Sequence, residues 1–265
     1  MLLYMEISMI KLIVSDIDNT ILVDGKREVS KELLSLIDQL CDSGVIIAVA
    51  SGRQYPNMKR LFGPVADKVH FISENGAFVA YKDQILYEDE IDRKLALRIM
   101  EDIYAMPNCE VLASSKEISY LKPKNESYLH RIKDVVKNKV VVVNDFNEIK
   151  EPLLKIAVCD MSGIDNSKDH FINKFSKELQ TVVSGKLYLD FNNFGTNKGM
   201  AISMLQEKYG VTAKETAAFG DSYNDIEMLL RAEYSYAMQH ADDEVKRYAN
   251  YTCDDVFGTL INLFP

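Results

Sequence analysis

Ile10-Lys11-Leu12-Ile13-Val14-Ser15-Asp16-Ile17-Asp18-Asn19-Thr20 decides how the chain is read. An apolar run ends in two carboxylates one residue apart, followed by a turn residue and a hydroxyl. A strand buried on both faces is apolar throughout instead of alternating, so Ile10 to Val14 reads as a central parallel strand. In an extended chain Asp16 and Asp18 project from one face, about 7 Å apart at roughly 3.3 Å per residue. Open α/β sheets bind ligands at the carboxyl ends of their strands, and paired acids there are costly unless something uses them. Three readings compete: an ordinary strand end with solvated acids, a calcium loop, or an aspartate nucleophile with an acid/base partner on a magnesium ion. The calcium loop fits poorly, with Ile21 in place of its glycine and Arg27 in place of its closing glutamate. The nucleophile reading requires a lysine and further acids from elsewhere in the chain.

Downstream, a helix opens at Ser30, shows Leu33, Leu34, Ile37 and Leu40 on one face, and stops at Gly44. Val45 to Ala50 is a second apolar strand, ending in Ser51-Gly52-Arg53. Strand, helix and strand with short links make a βαβ unit, which brings Ser51 beside the Asp16–Asp18 pair. A hydroxyl and free main-chain N–H groups suit phosphate oxygens there, although Ser-Gly is also an ordinary turn. Val69 to Ser73 reads as a third strand, Glu74-Asn75-Gly76-Ala77 as a turn, and Phe78–Tyr81 with Ile85–Tyr87 as a hairpin.

From about residue 89 the texture changes. A helix over Asp92–Tyr104, strands near 110–113, 118–121, 140–143 and 154–159, and helical stretches at 125–137 and 165–179 predict an α+β insertion. Residues 89–186 hold 16 basic and 16 acidic side chains, so the rest of the chain carries the whole net charge of −9. Residues 185–193 lead back to Lys198-Gly199, which opens a helix closed by Gly210. A lysine in a first helical turn opposes the helix dipole, so Lys198 either points to solvent or answers nearby anions. Thr216 to Phe219 is another apolar strand, ending in Gly220-Asp221-Ser222-Tyr223-Asn224-Asp225 and a helix to Arg231. Tyr234–Met238 and helices over 242–248 and 256–264 complete the core. The predicted fold is α/β: a doubly wound, Rossmann-like parallel sheet (1–88 and 187–265) with an inserted α+β cap domain (89–186).

The 265 residues are 47% hydrophobic and 27% charged, enough for a sizeable core. The acidic balance, with a pI near 5.1, argues against nucleic acid and membrane surfaces as partners. Cys41, Cys109, Cys159 and Cys253 lack paired spacing and read as separate thiols in a reducing compartment. The four histidines are likewise scattered. No secretory signal or membrane span is evident, and the cytoplasm is expected. Met1, Met5 and Met9 leave the start ambiguous, with residues 1–8 read as a short extension. Neither G-x-x-x-x-G-K-[ST] nor G-x-G-x-x-G after a strand occurs, so nucleotide-driven chemistry is not expected.

Asp16-Ile17-Asp18-Asn19-Thr20, Ser51-Gly52-Arg53, Lys198-Gly199 and Gly220-Asp221-Ser222-Tyr223-Asn224-Asp225, in this order, resemble the haloacid dehalogenase-like superfamily in its Cof-type phosphatase branch. Glu74-Asn75-Gly76-Ala77 is also similar to a segment of that branch. Gln239-His240-Ala241 departs from it, standing where a Gly-Asn-Ala is common. The resemblance implies a Mg²⁺-dependent phosphatase of small phosphorylated metabolites, such as sugar or cofactor phosphates. Asp16 would be the nucleophile, forming an aspartyl-phosphate, and Asp18 the acid/base, its pKa raised by carboxylate crowding. Mg²⁺ would be held by Asp16, the Asp18 carbonyl and Asp221, with Asp225 supporting it from behind and Asn224 beside it. Ser51, Gly52, Lys198 and Asn224 would bind the phosphoryl group, Lys198 also neutralising Asp16. A phosphotransferase or phosphomutase using the same intermediate, or a non-catalytic phospho-ligand-binding protein, are the alternatives. In the cap, Arg131, Lys122, Lys124 and Tyr128 are candidate substrate contacts, with a solvated face the preferred reading. Oligomeric state is not legible.

Overall fold

The computed structural model describes residues 10–265. The ambiguous start and the extension read over residues 1–8 lie outside the described residues. The first strand, β1, runs Leu12–Asp16, every residue buried. Helix α1 (Lys31–Asp42) follows, its first turn capped by the Ser30 hydroxyl, which accepts from the Leu33 N–H at 3.2 Å. That cap is what the sequence predicts, and Leu33, Ile37 and Leu40 form the buried stripe. Next come β2 (Ile46–Ala50), α2 (Tyr55–Leu61), β3 (Val69–Ser73), and the hairpin of β4 (Phe78–Tyr81) and β5 (Gln84–Glu88).

The chain then builds a second layer. It contains α3 (Arg93–Ala105), β6 (Cys109–Ser114), β7 (Ser119–Leu121), α4 (Glu126–His130) running into a π-helical turn (Arg131–Val135), β8 (Val140–Val142), β9 (Lys155–Asp160), α5 (Lys168–Phe175), β10 (Gln180–Gly185) and β11 (Tyr188–Asn192). The return comprises α6 (Lys198–Tyr209), β12 (Thr216–Gly220), α7 (Ile226–Leu229), β13 (Tyr234–Met238), α8 (Asp243–Lys246), β14 (Tyr251–Cys253) and α9 (Val256–Leu263).

These strands form two sheets. The first is ordered β14-β13-β12-β1-β2-β3-β4-β5, parallel from β14 to β3 and antiparallel across the hairpin. The second is ordered β10-β11-β9-β6-β7-β8, antiparallel except for β7 with β8. The architecture is therefore the expected α/β core with an inserted mixed sheet. Each sheet has its own apolar core: Leu12, Val14, Ala48, Phe71, Ile202 and Phe219 in the first, Ile99, Val111, Val158, Phe171 and Phe191 in the second. The inserted sheet's last strand, β11, lies wholly beyond residue 186, where the sequence reading placed the return, so the insertion runs on to about residue 192.

Four elements escape sequence reading, β11 among them, since residues 185–193 read only as a return. Helix α2 is seven residues long and its buried residues Tyr55, Asn57 and Met58 make no apolar stripe. Strand β10 is an edge with no fully buried residue, and β14 is a three-residue edge.

Candidate active site

Strand β1 lies where the chain reverses direction across the sheet, β2 and β3 to one side and β12 to β14 to the other. That switch point opens a crevice at the carboxyl end of β1. Register then sets the level of each side chain. Asp16 pairs with Ala50, so Ser51 emerges beside Ile17 and Asp18. Ser15 pairs with Phe219, so Asp221 emerges just beyond Asp16 on the other side. Asn19 turns the chain with φ 58°, a left-handed conformation that asparagine tolerates. Gly220 lets the next loop fold back: a Cβ there would lie 2.5 Å from the Asp225 Cβ.

Lys198, at the start of α6, is buried between two carboxylates. Its Nζ lies 2.5 Å from Asp16 Oδ1 and 2.6 Å from Asp225 Oδ1. Burial would lower its pKa, but Asp16 and Asp225 outweigh that and hold the ammonium above its ordinary value. For Asp16 burial wins, raising the carboxyl well above its ordinary range; Lys198 pulls it down, and Asp225 and Asp18 push it further up. Asp221 is raised too, by burial first and by Asp225 second. The lysine that sequence reading finds misplaced is thus answered by anions.

Asp225 has both oxygens occupied, Oδ1 by Lys198 and Oδ2 by the main-chain N–H groups of Asp221 and Ser222, each at 3.0 Å. Asp221 accepts from Thr20 Oγ1 and Ser222 Oγ, both at 3.1 Å. Carboxylate oxygens of Asp16, Asp221 and Asp225 lie within 4.8 Å of one another. An all-oxygen, anionic donor set of this kind fits a hard divalent cation such as Mg²⁺.

Asp18 is half exposed and gripped by Arg53, whose Nε and NH2 donate to its two oxygens at 2.8 and 2.6 Å. Ser51 Oγ approaches the same carboxylate at 3.4 Å. Arg53 stands inside the Ser51-Gly52-Arg53 motif, whose sequence alone assigns it no role. Two-pronged pairing with an exposed acid is visible only in three dimensions.

A cavity of about 1160 Å³ lies over these groups, lined by both layers. The core contributes Asp16, Asp18, Ser51, Gly52, Asp221 and Asn224; the inserted layer contributes Leu112, Arg131, Asn138, Lys155, Tyr188 and Asp190. Of the cap candidates, Arg131 lines it. Lys122, Lys124 and Tyr128 are not among its lining residues: Lys122 sits over the Tyr104 ring at 4.3 Å, Lys124 donates to the Met106 carbonyl at 2.6 Å, and Tyr128 is fully buried. Gln239 and His240 are exposed after β13 and also outside the lining. Sequence reading missed Lys155 and Asp190. The sequence offers only a weak signal for Lys155, a charge followed by the four apolar residues Ile156 to Cys159.

A family model described as haloacid dehalogenase-like hydrolase matches residues 13–256. The chain is 26% identical over 250 residues to the Escherichia coli 5-amino-6-(5-phospho-D-ribitylamino)uracil phosphatase YbjI, covering 91% of this chain and 90% of that one. It is also 26% identical over 266 residues to the Bacillus subtilis phosphatase YwpJ, covering 91% and 93%. A crystal structure of a protein from Eubacterium rectale superposes with a TM-score of 0.85 at 30% identity, over 97% of this chain and all of that one. With its four motifs gathered at one crevice, the chain belongs to the haloacid dehalogenase-like hydrolase family and is one of its phosphatases.

Proposed function

We propose that this enzyme is a Mg²⁺-dependent phosphatase of small phosphorylated metabolites that works through an aspartyl-phosphate at Asp16. The observation that carries the reading is the buried Asp16–Lys198–Asp225 array, with Asp221 and Ser51 beside it at the floor of a cavity. A carboxylate attacking a phosphoryl dianion meets like-charge repulsion, and a fixed ammonium in a low-dielectric site offsets it strongly. Asp16 supplies the attacking oxygen, a new O–P bond forms, and the ester O–P bond breaks. Asp18 gives its proton to the departing alcohol and then takes one from the water that cleaves the acyl phosphate. For this, Arg53 must release Asp18, and an anionic substrate is a natural new partner for the guanidinium. Ser51 and the main-chain N–H groups after it hold phosphoryl oxygens, with Lys198 and Asn224 closing the other side. Asp16, the Asp18 carbonyl and Asp221 would hold Mg²⁺, with Asp225 fixing the loop behind them; when bound, the ion adds positive charge where the transferred group's negative charge concentrates.

The cavity has room for a leaving group larger than a simple sugar. A phosphorylated ribityl chain bearing a uracil, the compound named for the Escherichia coli relative, is of that size and belongs in the first panel. The four free thiols suit a reducing compartment, consistent with the cytoplasm, and no helix among the described residues is long and apolar enough to cross a membrane.

The test is phosphate release from sugar, nucleotide and cofactor monophosphates, with Mg²⁺ and with chelator, for wild type and Asp16→Asn. The expected result is Mg²⁺-dependent release that the substitution reduces by at least about a thousandfold. A folded, Mg²⁺-loaded wild type that releases nothing from any ester would sink the proposal; phosphate captured by an added alcohol instead of water would turn it toward a transferase.

A further inference from the structure

Lys155, the first residue of β9, is a buried lysine of the cavity wall. Its Nζ donates to the Gly52 carbonyl at 2.5 Å and lies 2.6 Å from Glu74 Oε2 and 3.8 Å from Asp190 Oδ2. Its side chain is only 6% exposed, so it is part of the wall and is not a free surface cation. The contacts run on in both directions. Asp190, on β11, accepts from Asn75 Nδ2 at 2.9 Å, and Asn75 Oδ1 accepts from Asn224 Nδ2 at 3.2 Å. Asn75 also packs against Gly52, where a Cβ would lie 3.0 Å from its Oδ1. Glu74 and Asn75 are held in consecutive left-handed conformations, φ 49° and 60°, a strained arrangement that persists only where the surroundings enforce it. Two strands of the inserted sheet are thereby tied to three loops of the site: 51–53, 74–76 and 221–225.

Gly52 stands between the two residues that reach Asp18. Ser51 and Arg53 both contact its carboxylate, and the Arg53 N–H donates to Ser51 Oγ at 3.1 Å. The Gly52 carbonyl shares its peptide plane with the Arg53 N–H, so whatever fixes that carbonyl also aims this N–H at Ser51 Oγ. We infer that Lys155 is a positioning residue of the phosphoryl site, holding the Ser51-Gly52-Arg53 turn from the inserted sheet through the Gly52 carbonyl. This rests on the phosphatase reading, in which that turn binds the phosphoryl group. The lysine's charge is retained because Glu74 and Asp190 surround it, and its reach from one sheet to the other makes the phosphate turn complete only when the sheets are docked.

Lys155→Met alone leaves Glu74 as a buried, unmatched carboxylate and can unfold the protein, so it is compared with the Glu74→Gln/Lys155→Met double variant, which removes both charges. The readouts are melting temperature, kcat with acetyl phosphate, whose small acyl group gives the cap little to recognise, and inhibition by orthovanadate, a phosphoryl mimic. The expectation is that the double variant recovers most of the melting temperature yet remains about ten- to a hundredfold weaker in kcat and in vanadate inhibition, the scale of one hydrogen bond from a charged donor. A double variant within twofold of wild type in both would overturn the inference and leave Lys155 as a tie between sheets. If wild type releases no phosphate from any ester, the phosphatase reading fails separately. Calorimetric vanadate binding by wild type and the double variant then decides this one, with equal binding or none overturning it.

Discussion

Lys198 and Lys155 invite direct comparison. Each is a lysine buried to within a few per cent, each lines up with two carboxylates, and each is held above its ordinary pKa because those carboxylates outweigh the effect of burial. Their surroundings differ in what is left over. Around Lys198 the acids outnumber the cation: Asp221 joins Asp16 and Asp225 within 4.8 Å, leaving negative charge able to hold a metal ion and, in the proposed reaction, an oxygen for attack. Around Lys155 a main-chain carbonyl takes the third donor position, and Glu74 is sealed in, its carboxyl raised by burial above all. Three acids surround one ammonium in the first arrangement; two acids and a main-chain carbonyl surround the second. A buried lysine between acids is therefore not by itself a sign of chemistry, and the excess charge is.

The comparison breaks most sharply at Lys198. Lys198→Met removes the ammonium paired with Asp16, which in the proposed reaction also offsets the incoming dianion, and should reduce kcat by at least about a thousandfold, some 4 kcal/mol of transition-state stabilisation. Single-turnover phosphate release at saturating substrate measures it. Retention of a tenth of the activity would mean that Mg²⁺ alone carries the electrostatics.

The counterpart is a stability experiment. Lys155→Met strands Glu74 in the seam and should cost about 3–5 kcal/mol in urea unfolding, most of it regained by adding Glu74→Gln. The recovery is the informative half. A double variant no more stable than the single would mean that packing of the lysine stem, and not the charge pair, holds the seam.

The asymmetry also explains what could be read in advance. The core was legible because β1, β2 and β12 are continuous apolar runs ending in polar motifs, and parallel pairing then leaves few ways to place Asp16, Ser51 and Asp221. Lys198 was legible because it sits against the helix dipole. Lys155 obeys no such local rule, since its partners Gly52, Glu74 and Asp190 come from three distant segments and only the docking of two sheets unites them. Arg53 was in view but its grip on Asp18 was not, because side-chain direction at an exposed turn is not encoded in a strand pattern. Strand β10, which supplies Val183 and Ser184 to the cavity, alternates too weakly for its period to be seen.

A third buried group sharpens the rule by lacking what both lysines have. His70, on β3, is 3% exposed, stacks on Tyr81 at 4.1 Å, and meets no carboxylate among the described residues. Ile47 O, 3.3 Å from Nδ1, can only accept, so the proton sits on Nδ1 and Nε2 accepts from the Tyr209 hydroxyl at 2.7 Å. With no anion to keep it charged, burial lowers its pKa from 6.5 to about 4, Lys208 adding to the effect and the Ile47 carbonyl opposing it. Between those values the unfolded chain binds a proton that the native protein does not, so stability falls as pH falls. The contribution is complete above about pH 6.5, declines steadily below it, and levels off near pH 4 where the native imidazole also protonates. From pH 6.5 to 5 it amounts to about 2 kcal/mol. Denaturant unfolding of wild type and His70→Gln across that range isolates it, because the acid groups common to both cancel. The gap between the two curves should narrow by about that amount on acidification. Parallel curves would show that His70 finds an anion after all, and that the division between paired lysines and an unpaired histidine is drawn in the wrong place.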